Sequence, residues 1–90
     1  MFVKSAKLTF YISHSTSLKD KRQVCRSIID KTKQRFNVSV SEVGAQDVLQ
    51  TMIIGIAITS GDSSHAQESL EEIIRYMEEH ADAELIEVEI

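Results

Sequence analysis

The sequence predicts an α+β domain in which four antiparallel strands form one sheet and two helices cover one of its faces. Three observations support this prediction. Apolar residues recur at every second position near both ends of the chain, and they recur at helical spacing in two segments between those ends. The most apolar segment, residues 49–60, is rich in β-branched residues. A chain of 90 residues fits one domain, which we expect to span residues 1–90.

The first strand and first helix are predicted from a change of period. From Phe2 to Ile12 the side chains alternate between a more apolar and a more polar face. Ser17 then has the character of a helix N-cap, with Asp20 in capping-box position. A helix over residues 18–36 would be about 27 Å long at 1.5 Å per residue. Its predicted buried side consists of Leu18, Cys25, Ile28, Ile29, Thr32 and Phe36.

The second half repeats this arrangement. Residues 37–43 alternate again, and residues 49–60 are predicted as a central strand. Gly61-Asp62-Ser63 ends that strand and caps a second helix, and residues 83–90 alternate aliphatic side chains with glutamates. The buried stripe of the second helix is Ala66, Leu70, Ile73 and Met77. The order β-α-β-β-α-β, with right-handed crossovers, is that of the ferredoxin-like fold.

Two strings and a residue pair carry a resemblance to a known family. They are SLKDKR, then FNVSVSEV, then Asp47 with Gln50. Together they resemble the YlxP-like family, domain of unknown function 503, over the whole chain. Ser41 departs from the small apolar residue expected there, and Cys25 from a plain aliphatic one. The resemblance implies a ferredoxin-like fold, a bacterial origin and no agreed activity. It also implies RNA as a partner, since family members often lie near genes for translation initiation and ribosome maturation.

The charge is unevenly divided along the chain. Residues 1–45 contain nine Lys and Arg against three acids, which gives +6. Residues 46–90 contain one arginine against eleven acids, which gives −10, and the halves sum to −4. Such asymmetry favours an interaction surface on the basic half. The glutamates of the second helix are expected to form a solvated face, with ion pairs to the first helix where the two run side by side.

The basic residues of the first helix are the leading candidates for binding. Four of them fall within a roughly 60° stripe that could follow several phosphates of a nucleic acid. Lys19, Lys21 and Arg22 crowd the helix N-terminus, where the macrodipole disfavours cations but an anion would be stabilised. The alternative is that these are solvated side chains whose stems cover the edge of the core. The predicted RNA- or anion-binding residues are Lys19, Lys21, Arg22, Arg26 and Lys33.

Two further surfaces are candidates. The sheet face without helices is expected to be apolar enough to form a homodimer. Its predicted contact residues are Val3, Thr9, Tyr11, Ile53 and Ala57. Base stacking in the manner of an RRM domain is disfavoured, because this face has only one aromatic residue.

The third candidate is the turn before the central strand. Asp47 and Gln50 either bind a ligand there or hydrogen-bond the turn itself.

Catalytic chemistry finds little support in the sequence. The three histidines lie in different elements without metal-ligand spacing, and Cys25 lies on a buried stripe. No glycine-rich phosphate loop is present. We therefore expect no catalytic residues, no metal and no cofactor.

The same patterns give no sign of a membrane segment or of a sequence-specific DNA reader. The N-terminus alternates rather than forming a signal peptide, and a single cysteine suits a reducing, cytoplasmic location. The sequence thus predicts a cytoplasmic, non-catalytic module that binds structured RNA, such as ribosomal RNA, through its first helix. The alternative is a protein-interaction or homodimerisation module that acts through the open sheet face.

Overall fold

The predicted order of elements and the fold class are confirmed. A computed structural model describes residues 1–90. The elements are β1 (Phe2–Tyr11), α1 (Leu18–Arg35), β2 (Ser39–Gly44), β3 (Thr51–Ser60), α2 (Ser63–His80) and β4 (Glu84–Glu89). Neither helix is apolar enough over sufficient length to cross a membrane.

The four strands form one sheet in the order β2-β3-β1-β4, and every neighbouring pair is antiparallel. β1 and β3 pair along their full lengths, with Leu8 opposite Ile54 and Phe10 opposite Met52. The register shifts once on each side of this central pair, near Thr9 against β4 and near Glu42 against β2. The two edges of the sheet are therefore β2 and β4.

Both helices lie on the same face of the sheet, α1 against β2 and α2 against β1 and β3. The period-two pattern of the central strands directs alternate side chains into the space beneath the helices. The four residues predicted as the buried stripe of α2 are all buried. The core cluster consists of Ala6, Leu8, Phe10, Ile12, Val24, Cys25, Ile28, Val40, Met52, Ile54, Ile56, Ile58, Leu70, Ile73 and Met77.

Both predicted helix starts are confirmed. The Ser17 hydroxyl accepts a hydrogen bond from the Asp20 backbone N–H at 3.1 Å. Asp62 caps α2 by accepting from the His65 backbone N–H at 3.0 Å. Each cap satisfies one of the backbone N–H groups that the first helical turn leaves without a partner.

The central strand begins two residues later than residue 49, where the sequence places it. The Val48 N–H donates to the Ala45 carbonyl at 3.0 Å and closes a turn. Ala45 has a φ of 56°, in the left-handed region. Val48 and Leu49 thus belong to the turn and are exposed, although they continue the apolar pattern of β3.

Candidate nucleic-acid interface

The four cations of the predicted stripe are all exposed. None of them lies within 4 Å of a carboxylate oxygen. The ion pairs of the protein are formed by other residues. From the helical rise, the stripe extends over about 21 Å along α1. It is named here the α1 stripe and consists of Lys19, Arg22, Arg26 and Lys33.

The prediction that Lys21 contacts RNA or an anion is wrong. Its side chain is 98 % buried. The ammonium group lies 3.2 Å from Glu42 Oε2 and donates to the Ala45 carbonyl oxygen. Lys21 precedes the buried Val24 and Cys25 by three and four residues, so helical geometry puts it on the core side of α1. Its polarity concealed this spacing in the sequence.

The buried pair is not fully satisfied. Glu42 Oε2 is buried away from solvent and accepts no hydrogen bond. The Lys21 ammonium lies close enough for an ion pair, but not in hydrogen-bond geometry. The nearby Cys25 thiol has its pKa raised to about 11, first by burial and then by the negative charge of Glu42. The thiol is consequently protonated and unreactive at neutral pH.

The N-terminus of α1 already holds an anion of its own. The Asp20 carboxylate accepts from the Thr16 backbone N–H at 3.1 Å and from the Thr16 hydroxyl at 3.0 Å. The backbone hydrogen bond, followed by that from the Thr16 hydroxyl, lowers the pKa of Asp20. Because this carboxylate occupies the first turn, the α1 stripe is a better candidate for binding phosphates than the helix end itself.

The α1 stripe includes a surface depression whose lining residues are all polar or charged. It is lined by Lys19, Arg22, Gln23, Arg26, Ser27 and Asp30. Arg22 and Arg26 also line a second groove, between α1 and β2, in which Glu42 is the acidic residue. Neither arginine pairs with that glutamate, so both guanidinium groups are free to bind an outside partner.

Positive and negative charge are separated across the sheet. The α1 stripe lies on the helix that covers edge strand β2, whereas Glu84, Glu87 and Glu89 belong to the opposite edge strand β4. The expected ion pairs between α1 and α2 do not form; no carboxylate of α2 is within 4 Å of a cation of α1. The acidic face of α2 therefore leaves the basic face of α1 uncompensated.

The turn residues Asp47 and Gln50 separate in role. The Gln50 amide donates to the carbonyl oxygens of Ser15 at 3.3 Å and Ser13 at 3.4 Å. These hydrogen bonds hold the β2–β3 turn against the loop before α1. Gln50 therefore has a structural role, one of the two alternatives that the sequence leaves open. Asp47 is exposed and makes no hydrogen bond or ion pair.

The open face of the sheet contains the predicted dimer residues, since Thr9 lies opposite Ile53 and both alternate with core residues. Val3 is 60 % exposed and Tyr11 39 % exposed. The face is more polar than expected, because Lys7 pairs with Glu89 across it at 3.1 Å and serines flank Ala57. On this face the Val43 side chain packs against Gly55, where an added Cβ would approach Val43 Cγ1 to 2.8 Å.

One cleft was missed from the sequence altogether. It lies where the C-terminal ends of α1 and α2 meet, and contains an aromatic cluster. Tyr76 stacks on His80 with ring centroids 4.0 Å apart, and meets Phe36 edge to face at 5.3 Å. Arg35 lies over the Phe36 ring, and Arg75 and two glutamates complete the walls. Only the packing of the two helices brings these residues together.

No three His, Cys, Asp or Glu side chains converge in a way that could hold a metal ion. His14 instead lies 3.2 Å from Asp82, and His80 contacts the Tyr76 carbonyl oxygen.

Comparison with known proteins confirms the resemblance carried by the sequence motifs. The model of the family described as "Protein of unknown function (DUF503)" matches residues 3–90. The chain is 34 % identical over 68 residues to "Uncharacterized protein YlxP" of Bacillus subtilis (strain 168), which covers 76 % of this chain and 74 % of that protein. The chain therefore belongs to the DUF503 family, whose function is unknown.

Proposed function

We propose that this protein is a non-catalytic, cytoplasmic module that binds structured RNA, such as ribosomal RNA, through the α1 stripe. The observation that carries the proposal is that all four cations of the stripe are exposed and none is paired with a carboxylate. A protein with a net charge of −4 that keeps such a row of free cations has a surface suited to a polyanion.

The dimensions of the stripe support a phosphate-tracking role. Its cations recur along about 21 Å of one helix face, long enough to contact several successive phosphates of a strand. Arg22 and Arg26 offer planar guanidinium groups that can bind phosphate oxygens through two hydrogen bonds each.

The position of the acids supports a defined orientation. Glutamates of α2 and of β4 would repel a nucleic acid that approached from the β4 edge of the sheet. The phosphates of an RNA strand would thus be bound mainly on the surface formed by α1 and the edge of the sheet at β2.

The test is charge reversal within the stripe. Lys19→Glu, Arg22→Glu and Arg26→Glu, combined in one chain, should abolish binding of a fluorescently labelled ribosomal RNA fragment measured by anisotropy. The matched control is Lys31→Glu, which changes another exposed cation, on the other flank of α1. Because Lys31→Glu removes no cation of the stripe, it should reduce affinity only through the change in the net charge of the protein.

Salt dependence provides a second measure from the same titrations. Four phosphate contacts predict that log K falls against log salt with a slope of about −3. The triple variant should lose most of this slope. Binding that is unchanged in the triple variant, or that is insensitive to salt, would contradict the proposal.

A second candidate function is homodimerisation through the open sheet face. The observation in its favour is that Val3, Tyr11 and Ile53 lie on that face with no element covering them. Light scattering across a concentration series should then show a dimer that Ile53→Asp or Tyr11→Asp dissociates. A monomer at the highest concentration would exclude this candidate, and it would leave RNA binding untouched.

A further inference from the structure

From the cleft between the ends of the helices we infer that the protein has a stacking site for one unpaired nucleobase of its RNA. The platform is the exposed ring of His80, supported from beneath by Tyr76. This inference rests on the proposed RNA binding and extends it from phosphates to bases.

The geometry of the aromatic cluster supports a platform. The His80 and Tyr76 rings are 20° from parallel with centroids 4.0 Å apart, and Phe36 braces Tyr76 edge to face. His80, the outer ring, is exposed, whereas Tyr76 and Phe36 are half-buried. A base placed on His80 would continue a stack that is already formed and so would need little reorganisation of the protein.

A hydrogen bond fixes the orientation of the platform. His80 Nδ1 lies 2.8 Å from the Tyr76 carbonyl oxygen, which can only accept, so Nδ1 carries the proton. The histidine ring is thereby held at the end of α2, and Nε2 remains free for a polar group of the ligand.

The charges of the cleft favour a base over a phosphate. Its walls contain Arg35 and Arg75 against Glu72 and Glu79, so these charges cancel. None of the four forms an ion pair in the protein. The carboxylates can accept hydrogen bonds from base amino or imino groups, while the guanidinium groups can donate to base carbonyls.

The cleft is within reach of an RNA strand on the α1 stripe. Arg35 follows Lys33, the last cation of the stripe, by two residues, but it points to the other flank of α1, toward α2. A strand that leaves the stripe at Lys33 would pass around the C-terminal end of α1 to enter the cleft. Cations at that end also complement the negative pole of the helix dipole.

The experiment compares two labelled decamers of equal charge, decauridylate and an abasic ribose-phosphate chain. Wild-type protein should bind decauridylate more tightly by about five-fold, the lower end of the stacking contribution of one base on an aromatic residue. His80→Ala should remove this preference, and His80→Phe should keep it. His65→Ala, which changes an exposed histidine at the opposite end of α2, should leave the preference unchanged.

The outcomes separate this inference from the proposed function. Equal binding of the two decamers by the wild type would overturn the platform, and salt-dependent binding lost on charge reversal would still support the stripe. A preference that depends on His80 but survives charge reversal of the stripe would support the platform and overturn the stripe. If neither decamer binds, the platform is overturned, and the titrations with the ribosomal RNA fragment decide the proposed function alone.

Discussion

The two sides of α1 carry the same kinds of residue and use them in opposite ways. On the sheet side, Lys21 is buried and engages Glu42 and a turn carbonyl. On the solvent side, Lys19 and Arg22, its neighbours within one turn, are exposed and have no partner. One cation therefore belongs to the fold, and the others are free for another molecule. A count of basic residues in this helix conceals that difference.

The buried pair also connects parts of the chain that are far apart in sequence. Lys21 lies in SLKDKR, Glu42 in FNVSVSEV, and Ala45 in the turn that leads to Asp47 and Gln50. Gln50 in turn holds the loop before α1. The strings that carry the family resemblance thus meet in one structural network at the N-terminal end of α1.

The largest effect should come from breaking this pair. Lys21→Met retains much of the side-chain volume but leaves the Glu42 carboxylate without its cation. The Ala45 carbonyl loses the ammonium donor and keeps the hydrogen bond from the Val48 N–H. We expect a loss of about 3 kcal/mol in the free energy of unfolding, measured by urea denaturation. The value lies at the lower end of the range for a broken buried pair because 24 % of the Glu42 side chain is exposed.

Two variants serve as controls for this measurement. Lys31→Met makes the same change at an exposed position of α1 and should alter stability by less than about 0.5 kcal/mol. Adding Glu42→Gln to Lys21→Met should recover part of the loss, because no buried charge is then left unpaired. Equal stabilities of Lys21→Met and Lys31→Met would show that the buried and the exposed cations of α1 do not differ in their contribution to the fold.

The reactivity of Cys25 provides a probe of the buried side. A rise in its pKa from 9.0 to about 11 reduces the thiolate at pH 8 about 100-fold, and alkylation by iodoacetamide should be slowed at least as much. Glu42→Gln should speed the reaction, because it removes a negative charge that raises this pKa. Alkylation as fast as in the urea-unfolded chain would show that the α1–β2 contact is open in solution.

The raised pKa of Cys25 also affects stability at high pH. Because this pKa is higher in the folded than in the unfolded chain, the stabilisation linked to the protonated thiol is fully present below pH 9. It is lost as the pH rises from 9 toward 11, because the unfolded chain ionises first. In the Cys25→Ala variant, the free energy of unfolding should decline less steeply over this interval.

On the solvent side, truncation should barely affect the fold. Lys19→Ala, Arg22→Ala and Arg26→Ala should each change the free energy of unfolding by less than about 0.5 kcal/mol. Their thermal unfolding midpoints, compared with that of the wild type, check this. A loss above 1 kcal/mol at any of the three would assign that residue to the structure and remove it from the candidate interface.

The smallest expected effect concerns the start of α1. The Thr16 hydrogen bonds lower the pKa of Asp20 below 3.8, so their stabilisation is present above that pH and is lost as the pH falls through the folded-state value. Thr16→Ala removes the hydroxyl donor and should raise the pKa of Asp20 toward 3.8, as measured by NMR titration. An unchanged pKa would show that the backbone N–H of residue 16 alone holds the carboxylate.

The fold was readable from the sequence because its signals are local. Alternation in β1 and β3, the 3.6-residue period of both helices, and the caps Ser17 and Asp62 each depend on a few neighbouring residues. The start of β3 was misplaced because Val48 and Leu49 are apolar, whereas the left-handed Ala45 diverts the chain into a turn.

The candidate sites were predicted only in part, because they depend on packing. The exposed position of Arg26 followed from its place on the helical wheel. The burial of Lys21 did not, since its partner Glu42 belongs to an edge strand that only the fold brings beneath α1. The cleft around His80 combines residues 35–36 with residues 72–80, and no local pattern in either helix points to the other.

The most direct test of the central claim is co-sedimentation of the purified protein with ribosomal subunits at low and at raised salt. We expect association with one subunit that weakens as salt increases and disappears when Lys19, Arg22 and Arg26 are replaced by glutamate. No association at either salt, or association that the triple variant retains, would contradict RNA binding through the α1 stripe.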